Sequence, residues 1–180
     1  METIALFGGS FDPPHIGHKA IVEALRKLDF IDKIVVMPTF LNPFKSHSYA
    51  SSKQRLLWLQ DIFSEFDDVY IDDFEVKKSR KVSTIESVRH LLQNYSRVYV
   101  VVGADNLASL HKWSNYKELS ALVTFIVAPR DGIEVGSEFI TLEIDEKISS
   151  SELRKKMQIS KIPKVCALEI ENFYKETNEY

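Results

Sequence analysis

The stretch LFGGSFDPPHIGHKA, residues 6–20, gathers three of the chain's six glycines and two of its five histidines directly behind a short apolar run. Gly8 and Gly9 carry no Cβ, so a ligand can come close to the backbone there. Ser10, Phe11 and Asp12 follow with free amides, and Pro13 and Pro14 stiffen the approach to a helix. His15 and His18, three residues apart, share one face of that helix's first turn. A helix amino end favours an anion through its unpaired N–H groups and its dipole. Two imidazoles at that place can donate hydrogen bonds to a phosphate, and to the charge that builds on its oxygens during group transfer. Three plainer readings compete. The pair can be surface histidines at an ordinary helix start. It can be part of a zinc site, but that requires a third ligand, and His47, His90 and His111 are scattered without a matching motif. It can belong to a dinucleotide-binding loop, but G-G-S-F-D-P lacks the G-x-G-x-x-G pattern.

A second candidate anion site lies near the other end of the chain, in KISSSELRKK, residues 147–156. The amides and hydroxyls of Ser149, Ser150 and Ser151 can cradle an anion, with the Arg154 guanidinium one turn further in as a fork for phosphate oxygens. A capping box, Ser149 with Glu152, accounts for the same residues, and the two roles are compatible.

Both segments need elements to hold them, and apolar periodicity supplies an alternating order. Strands are expected over residues 3–7, 33–37, 69–76 (nearer a sheet edge), 97–103, 122–130 and 138–144. Helices are expected over 15–28, from Ser51 or Ser52 to 66, from Ser83 or Thr84 to 95, 106–111, 116–121, from the serine run at 149, and over about 163–178. Leu56, Leu57, Leu59, Ile62 and Phe63 form the expected inward set of the second helix, and Trp58 reads as core. Strand alternating with helix implies an α/β fold, a doubly wound parallel sheet of Rossmann-like type covered on both faces, with residues 1–180 as a single domain. Ligands in such folds bind at the carboxyl ends of the strands, where the strand order reverses.

With 180 residues the chain is long enough for a core of its own. A net charge of -3 argues against a broad nucleic-acid surface while leaving room for a small anionic ligand. Cys166 is the one cysteine, so no intrachain disulfide can form, and its apolar neighbours suit a buried thiol. The amino-terminal residues lack the pattern of a signal peptide, and no apolar run reaches the length of a membrane span. A cytoplasmic protein without a membrane partner is expected.

GGSFDPPHIGH resembles the G-[ST]-F-D-P-x-H-x-G-H box of a nucleotidyltransferase superfamily. Its H-x-G-H is shared with class I aminoacyl-tRNA synthetases, and KKMQISK, residues 155–161, is faintly similar to their second motif. The chain is short for a synthetase with a tRNA-reading domain, and the F-D-P prefix belongs with the small adenylyltransferases. ISSSELR resembles the same superfamily's I-S-[SG]-T-x-[IV]-R motif, with Ser151 for threonine and Leu153 for a branched residue. VVVGADNLASLHKW, residues 100–113, is similar to the G-x-D-x-L…W segment of bacterial nicotinate-nucleotide adenylyltransferases. The resemblance runs from Leu6 to about Met157 and departs in two places. Phe44 stands where P-x-x-x-P-P-H-K has its histidine, and Ser83 stands where S-Y-T has its tyrosine.

The resemblance implies adenylyl transfer from ATP to nicotinate mononucleotide. It implies phosphate contacts from His15, His18, Lys45 and Arg154. It places ATP against Gly8, Gly9, Ser10, Phe11, Gly103, Asp105, Arg130, Ile148, Ser149 and Ser150. The acceptor would lie against Asn42, Thr84 and Trp113, with the indole stacked on its pyridine ring. Mg²⁺ would come with ATP, held mostly by substrate and water, with Asp12 orienting the loop rather than binding metal. Two rival readings remain: a phosphopantetheine adenylyltransferase, and a nucleotide-binding protein that has lost turnover.

Overall fold

The apolar run ahead of the glycines becomes β1 (Thr3–Gly9), and the histidine segment opens α1 (Ile16–Leu25) with His15 as its N-cap. The chain continues through β2 (Lys33–Pro38), α2 (Ser52–Phe63), β3 (Val69–Ile71), α3 (Phe74–Lys78), α4 (Thr84–Leu91) and β4 (Arg97–Gly103). A 3₁₀ segment (Ala104–Lys112), α5 (Tyr116–Leu122), β5 (Val123–Ala128), β6 (Ile140–Thr141), α6 (Ser150–Lys155) and α7 (Ala167–Thr177) complete the order. This is a computed structural model, and it describes residues 2–177.

The six strands form one sheet in the order β3-β2-β1-β4-β5-β6, with every pairing parallel. The chain builds outward from β1 to one edge, returns to the centre, and builds outward from β4 to the other. The order therefore reverses between β1 and β4, and the crevice over their carboxyl ends is the expected ligand position. Gly8 and Gly9 end β1, and Gly103 ends β4.

Alternation along the strands feeds two cores. On one face Ala5, Phe7, Tyr99 and Val101 pack with Val22 and Leu25 of α1, Trp58 and Leu59 of α2, and Ile170 and Tyr174 of α7. On the other, Ile4, Leu6, Val98, Val100 and Val102 pack with Ile85, Val88 and Leu91 of α4 and Leu119 of α5. Each such aliphatic side chain contributes about 1.5–3 kcal/mol through burial.

Several boundaries differ from the periodicity, each for a local reason. The expected strand over 69–76 stops at Ile71 because the Phe74 N–H donates to Asp72 Oδ1 at 2.8 Å, closing an Asx turn that starts α3. The strand expected over 138–144 shrinks to Ile140–Thr141 because the Phe139 N–H turns back to the Gly136 carbonyl at 3.1 Å. α1 ends early as its last turn tightens, with Lys27 N–H on Ala24 O and Leu28 N–H on Leu25 O. α4 likewise gives way to turns, with the Asn94 and Tyr95 N–H groups both on Leu91 O. In α2, Leu57, expected to face inward, is 45% exposed, whereas Arg55 is fully buried. The terminal helix begins at Ala167 after a 3₁₀ turn, and residue 178 of the expected span lies outside the described residues. Cys166 is buried, its thiol pushed up to about 12 by that burial. No helix among the described residues is long and apolar enough to cross a membrane.

Candidate active site

The first loop is held by its own side chains. Phe11 adopts a left-handed backbone with φ 51°, a conformation that costs a non-glycine residue about 1 kcal/mol or more. Its ring compensates by packing edge-on against Phe7 at 5.2 Å and His18 at 4.8 Å between centroids. Asp12 is buried, and its carboxylate accepts from the Tyr49 N–H at 2.8 Å, the Ala50 N–H at 3.0 Å and the Tyr174 hydroxyl. Its role in orienting the loop thus has a geometric basis, and the terminal helix, silent in the sequence, supplies one of its partners.

His15 and His18 stack at 3.7 Å between ring centroids and form a capping box. The Gly17 N–H donates to His15 Nδ1, and the His15 N–H donates to His18 Nδ1, both at 3.1 Å. An Nδ1 that accepts cannot carry the proton, so each ring is the Nε2–H tautomer and presents one N–H donor. Burial, reinforced by the Arg130 charge, lowers His15 to about 3; burial and the neighbouring His15 and Arg130 hold His18 well below its ordinary value. They are neutral donors rather than cations. The glycine between them is required for space: a Cβ on Gly17 would sit 2.9 Å from the His15 ring.

The two distant segments meet. Ser150 Oγ donates to the Pro13 carbonyl at 2.8 Å, and Arg154 Nη1 donates to the Asp12 carbonyl. Arg154 also donates to Ser151 Oγ at 3.1 Å and lies over the Tyr49 ring at 4.6 Å. Ser149 caps α6 by accepting the Glu152 N–H at 3.2 Å. Lys45 reaches Ser10 Oγ at 3.4 Å, and its pKa is lowered by burial and by the Arg154 charge. Arg130 donates to the Ile148 carbonyl at 3.1 Å and lies 3.7 Å from Asp105. Cations thus collect around the first loop under mutual strain, which a bound polyanion would relieve.

Beside this lies a cavity of about 260 Å³ whose walls include Gly8, Gly9, Asn42, Thr84, Gly103 and Trp113, six of the residues singled out from the sequence. His15, His18, Lys45 and Arg154 lie outside its lining, at the loop beyond the glycines. Phe44 lines it while remaining 71% exposed, and His47 is exposed outside it, with Nδ1 3.1 Å from Ser46 Oγ. Ser83 caps α4 in a reciprocal box with Glu86. A second hollow of about 300 Å³ is bordered by Arg130, Ile148 and Ser149.

Three of the buried residues with polar groups that escaped the sequence reading bear on the site. Arg55 donates to the carbonyls of Ser10, Thr39, Phe40 and Ala50, tying the first loop to the one after β2. Glu75, in the wall of the cavity that holds Trp113, accepts from Ser87 Oγ at 2.7 Å, and burial pushes it up to about 7. Tyr174 is the third. Hydrophobic or turn residues would have been legible by pattern, whereas a charged residue on a helix normally reads as a solvated face.

These titrations make a stability prediction. The depressed histidines stabilise the fold fully above 6.5 and lose that contribution as pH falls; the raised Glu75 stabilises it fully below 4.5 and loses that contribution as pH rises through about 7. Near pH 5.5 unfolding therefore takes up about two protons on the histidines and releases about one from Glu75. Stability should fall by about 1.4 kcal/mol per pH unit there, and by about 2.5 kcal/mol per unit in Glu75→Gln. Urea titrations across that range check it; equal slopes in the two proteins would refute the assignment.

An α/β sheet reversing over a glycine loop, a stacked histidine pair and two helix amino ends define a nucleotidyltransferase-type site. The chain belongs to the cytidylyltransferase-like family, whose pattern matches residues 6–156. Among similar chains, the "Probable nicotinate-nucleotide adenylyltransferase" of Sulfurimonas denitrificans is 61% identical, covering 98% of this chain and 97% of that one. The protein of the same description from Campylobacter jejuni is 45% identical, covering 96% and 97%. In fold the chain is similar to the Plasmodium falciparum nicotinic acid mononucleotide adenylyltransferase complexed with NaAD, with TM-score 0.78 at 22% identity over 100% of this chain and 98% of that one.

Proposed function

We propose that this chain, acting as one catalytic unit over residues 1–180, transfers the adenylyl group of ATP to nicotinate mononucleotide in cytoplasmic NAD biosynthesis. The products are nicotinate adenine dinucleotide and pyrophosphate. The observation that carries the reading is the convergence of Ser150 and Arg154 on the backbone of the loop that presents His15 and His18. An oxygen of the acceptor's phosphate forms a bond to the α-phosphorus of ATP in line, and the bond to the β-phosphate oxygen breaks, its electron pair leaving with pyrophosphate. No covalent enzyme intermediate is required, so the chain contributes positioning and charge stabilisation.

In this reading the two Nε2–H groups donate to phosphate oxygens, and Lys45 and Arg154 neutralise the triphosphate. Gly8, Gly9, Ser10 and Phe11 supply the backbone against it, while Gly103, Asp105, Arg130, Ile148, Ser149 and Ser150 hold the rest of ATP. Asn42, Thr84 and Trp113 take the acceptor; the amino end of α4 at Thr84 suits its carboxylate, and the indole suits its flat ring. Both oxygens of Asp12 accept hydrogen bonds from the protein, which suits an orienting role; Mg²⁺ would be held by the triphosphate and water, adding charge neutralisation there.

Incubation with ATP and Mg²⁺ plus nicotinate mononucleotide, nicotinamide mononucleotide or phosphopantetheine, with pyrophosphate measured, tests the proposal. Release should be fastest with nicotinate mononucleotide. Preference for phosphopantetheine would overturn the acceptor, and ATP binding without release under any condition would leave only a nucleotide-binding protein.

A further inference from the structure

Two residues in the wall of the cavity that holds Trp113 and Thr84 carry polar atoms without partners. Glu75 Oε2 and Thr39 Oγ1 are buried and make no hydrogen bond, although both residues border the cavity and are only 6% and 8% exposed. An orphaned carboxylate oxygen in a native wall is costly unless a ligand or a proton satisfies it. Glu75 Oε1 is already taken by Ser87, which lies one turn beyond Thr84 on the same face of α4. Glu75, Ser87 and Thr84 therefore share the part of the wall where the amino end of α4 would meet the acceptor's carboxylate.

We propose that Glu75 is a specificity-determining residue that acts as a neutral carboxylic acid beside the acceptor, so that seating a carboxylate-bearing pyridine nucleotide takes up a proton onto Glu75. The proposal rests on the acceptor reading above. The step is a single protonation: solvent supplies H⁺, the Glu75 carboxylate becomes CO₂H, and its O–H becomes a donor. A neutral acid can face or donate to the acceptor's carboxylate; an ionised one repels it but accepts from the N–H of a carboxamide. Selectivity between the two pyridine nucleotides then depends on pH.

The surroundings favour that neutral form. From the end of β3, Asp72 adds negative charge; its Oδ2 lies 3.2 Å from Nε2 of His90 on α4. Glu86 of α4 adds more, paired with Arg80 at 2.7 Å. Arg55 of α2 and the Ser87 hydroxyl act the other way, and burial outweighs both, so Glu75 titrates near pH 7. Within α3 itself, Lys77 is paired with Asp73 at 3.1 Å and Lys78 lies over Phe74, so neither serves Glu75.

The test is KM for nicotinate mononucleotide and for nicotinamide mononucleotide at saturating ATP, from about pH 6.5 to about pH 8.5, spanning the Glu75 titration. Both acceptors carry the same phosphate, so its own titration cancels in the ratio. The nicotinate-to-nicotinamide KM ratio should rise by up to about tenfold per pH unit above pH 7. Glu75→Gln should make that ratio independent of pH, and calorimetry in buffers of different ionisation heat should show more proton uptake with nicotinate mononucleotide than with nicotinamide mononucleotide in the native protein, a difference lost in Glu75→Gln. Ser87→Ala removes a donor to the ionised carboxylate and should displace the rise to higher pH. A flat ratio in the native protein, or an unchanged slope in Glu75→Gln, overturns the proposal while leaving the acceptor reading standing. Absence of turnover with either pyridine nucleotide overturns both.

Discussion

Replacing His18 by alanine is expected to lower kcat about 10²–10³-fold, the usual cost of removing one preorganised donor to a transferring group. Its Nδ1 is occupied by the His15 N–H, so the ring is fixed in one tautomer and Nε2 alone carries a proton to donate. Stacking on His15 and edge packing on Phe11 leave the ring little freedom, so the donor is set before substrate arrives. The same substitution removes half of a capping box, worth about 1 kcal/mol, and stability must be separated from turnover. His18→Gln does so: a glutamine at this position can still accept the His15 N–H, as in an ordinary capping box. Melting temperature should return toward the native value in His18→Gln while pyrophosphate release stays depressed. Native turnover in His18→Ala, or its full recovery in His18→Gln, would remove the histidine from the chemistry.

The parts of this site that repeat a local rule were open to sequence reasoning. The β-branched run of β4, the glycines closing β1 and β4, and the serines opening α6 each declare their conformation within a few residues. Their convergence followed from the topology, because a reversing parallel sheet gathers strand ends in one crevice. What stayed hidden depends on partners far along the chain. Arg55 meets carbonyls 5 to 45 residues away, and Tyr174 meets Asp12 across 162 residues. Nothing in QRLLW distinguishes a buried guanidinium from an exposed one. Glu75 was concealed twice, first by an alternating pattern that reads as strand and then by an Asx turn that moves it onto a helix. The resemblance supplied roles for individual residues where spacing alone left alternatives, and the capping interactions of Ser149 and Ser83 show that the plain reading of those segments holds alongside any ligand role.

Arg55→Met is expected to destabilise the fold by about 3–5 kcal/mol, the range for breaking a buried charge out of its hydrogen-bonded setting. Its guanidinium donates to Thr39 O at 2.8 Å, Phe40 O at 2.9 Å, Ser10 O at 2.6 Å and Ala50 O at 3.1 Å. Methionine fills much of the volume but leaves four carbonyls to find water or stay unpaired, each buried loss costing about 1–3 kcal/mol if unrelieved. The favourable field on the Asp12 carboxylate is lost with them. For a chain of this size the melting temperature should fall by about 10 °C. Because two of the carbonyls lie after β2 and one in the first loop, the damage should extend to binding: KM should rise for both ATP and acceptor. Arg55→Lys offers a single ammonium with three donors and no planar fork, so it should recover part of the stability and less of the binding. Equal melting temperatures in the native protein and Arg55→Met would mean that the two loops hold their positions without the guanidinium, and the basis for a preorganised phosphate site would have to be sought in Asp12 and Tyr174 alone.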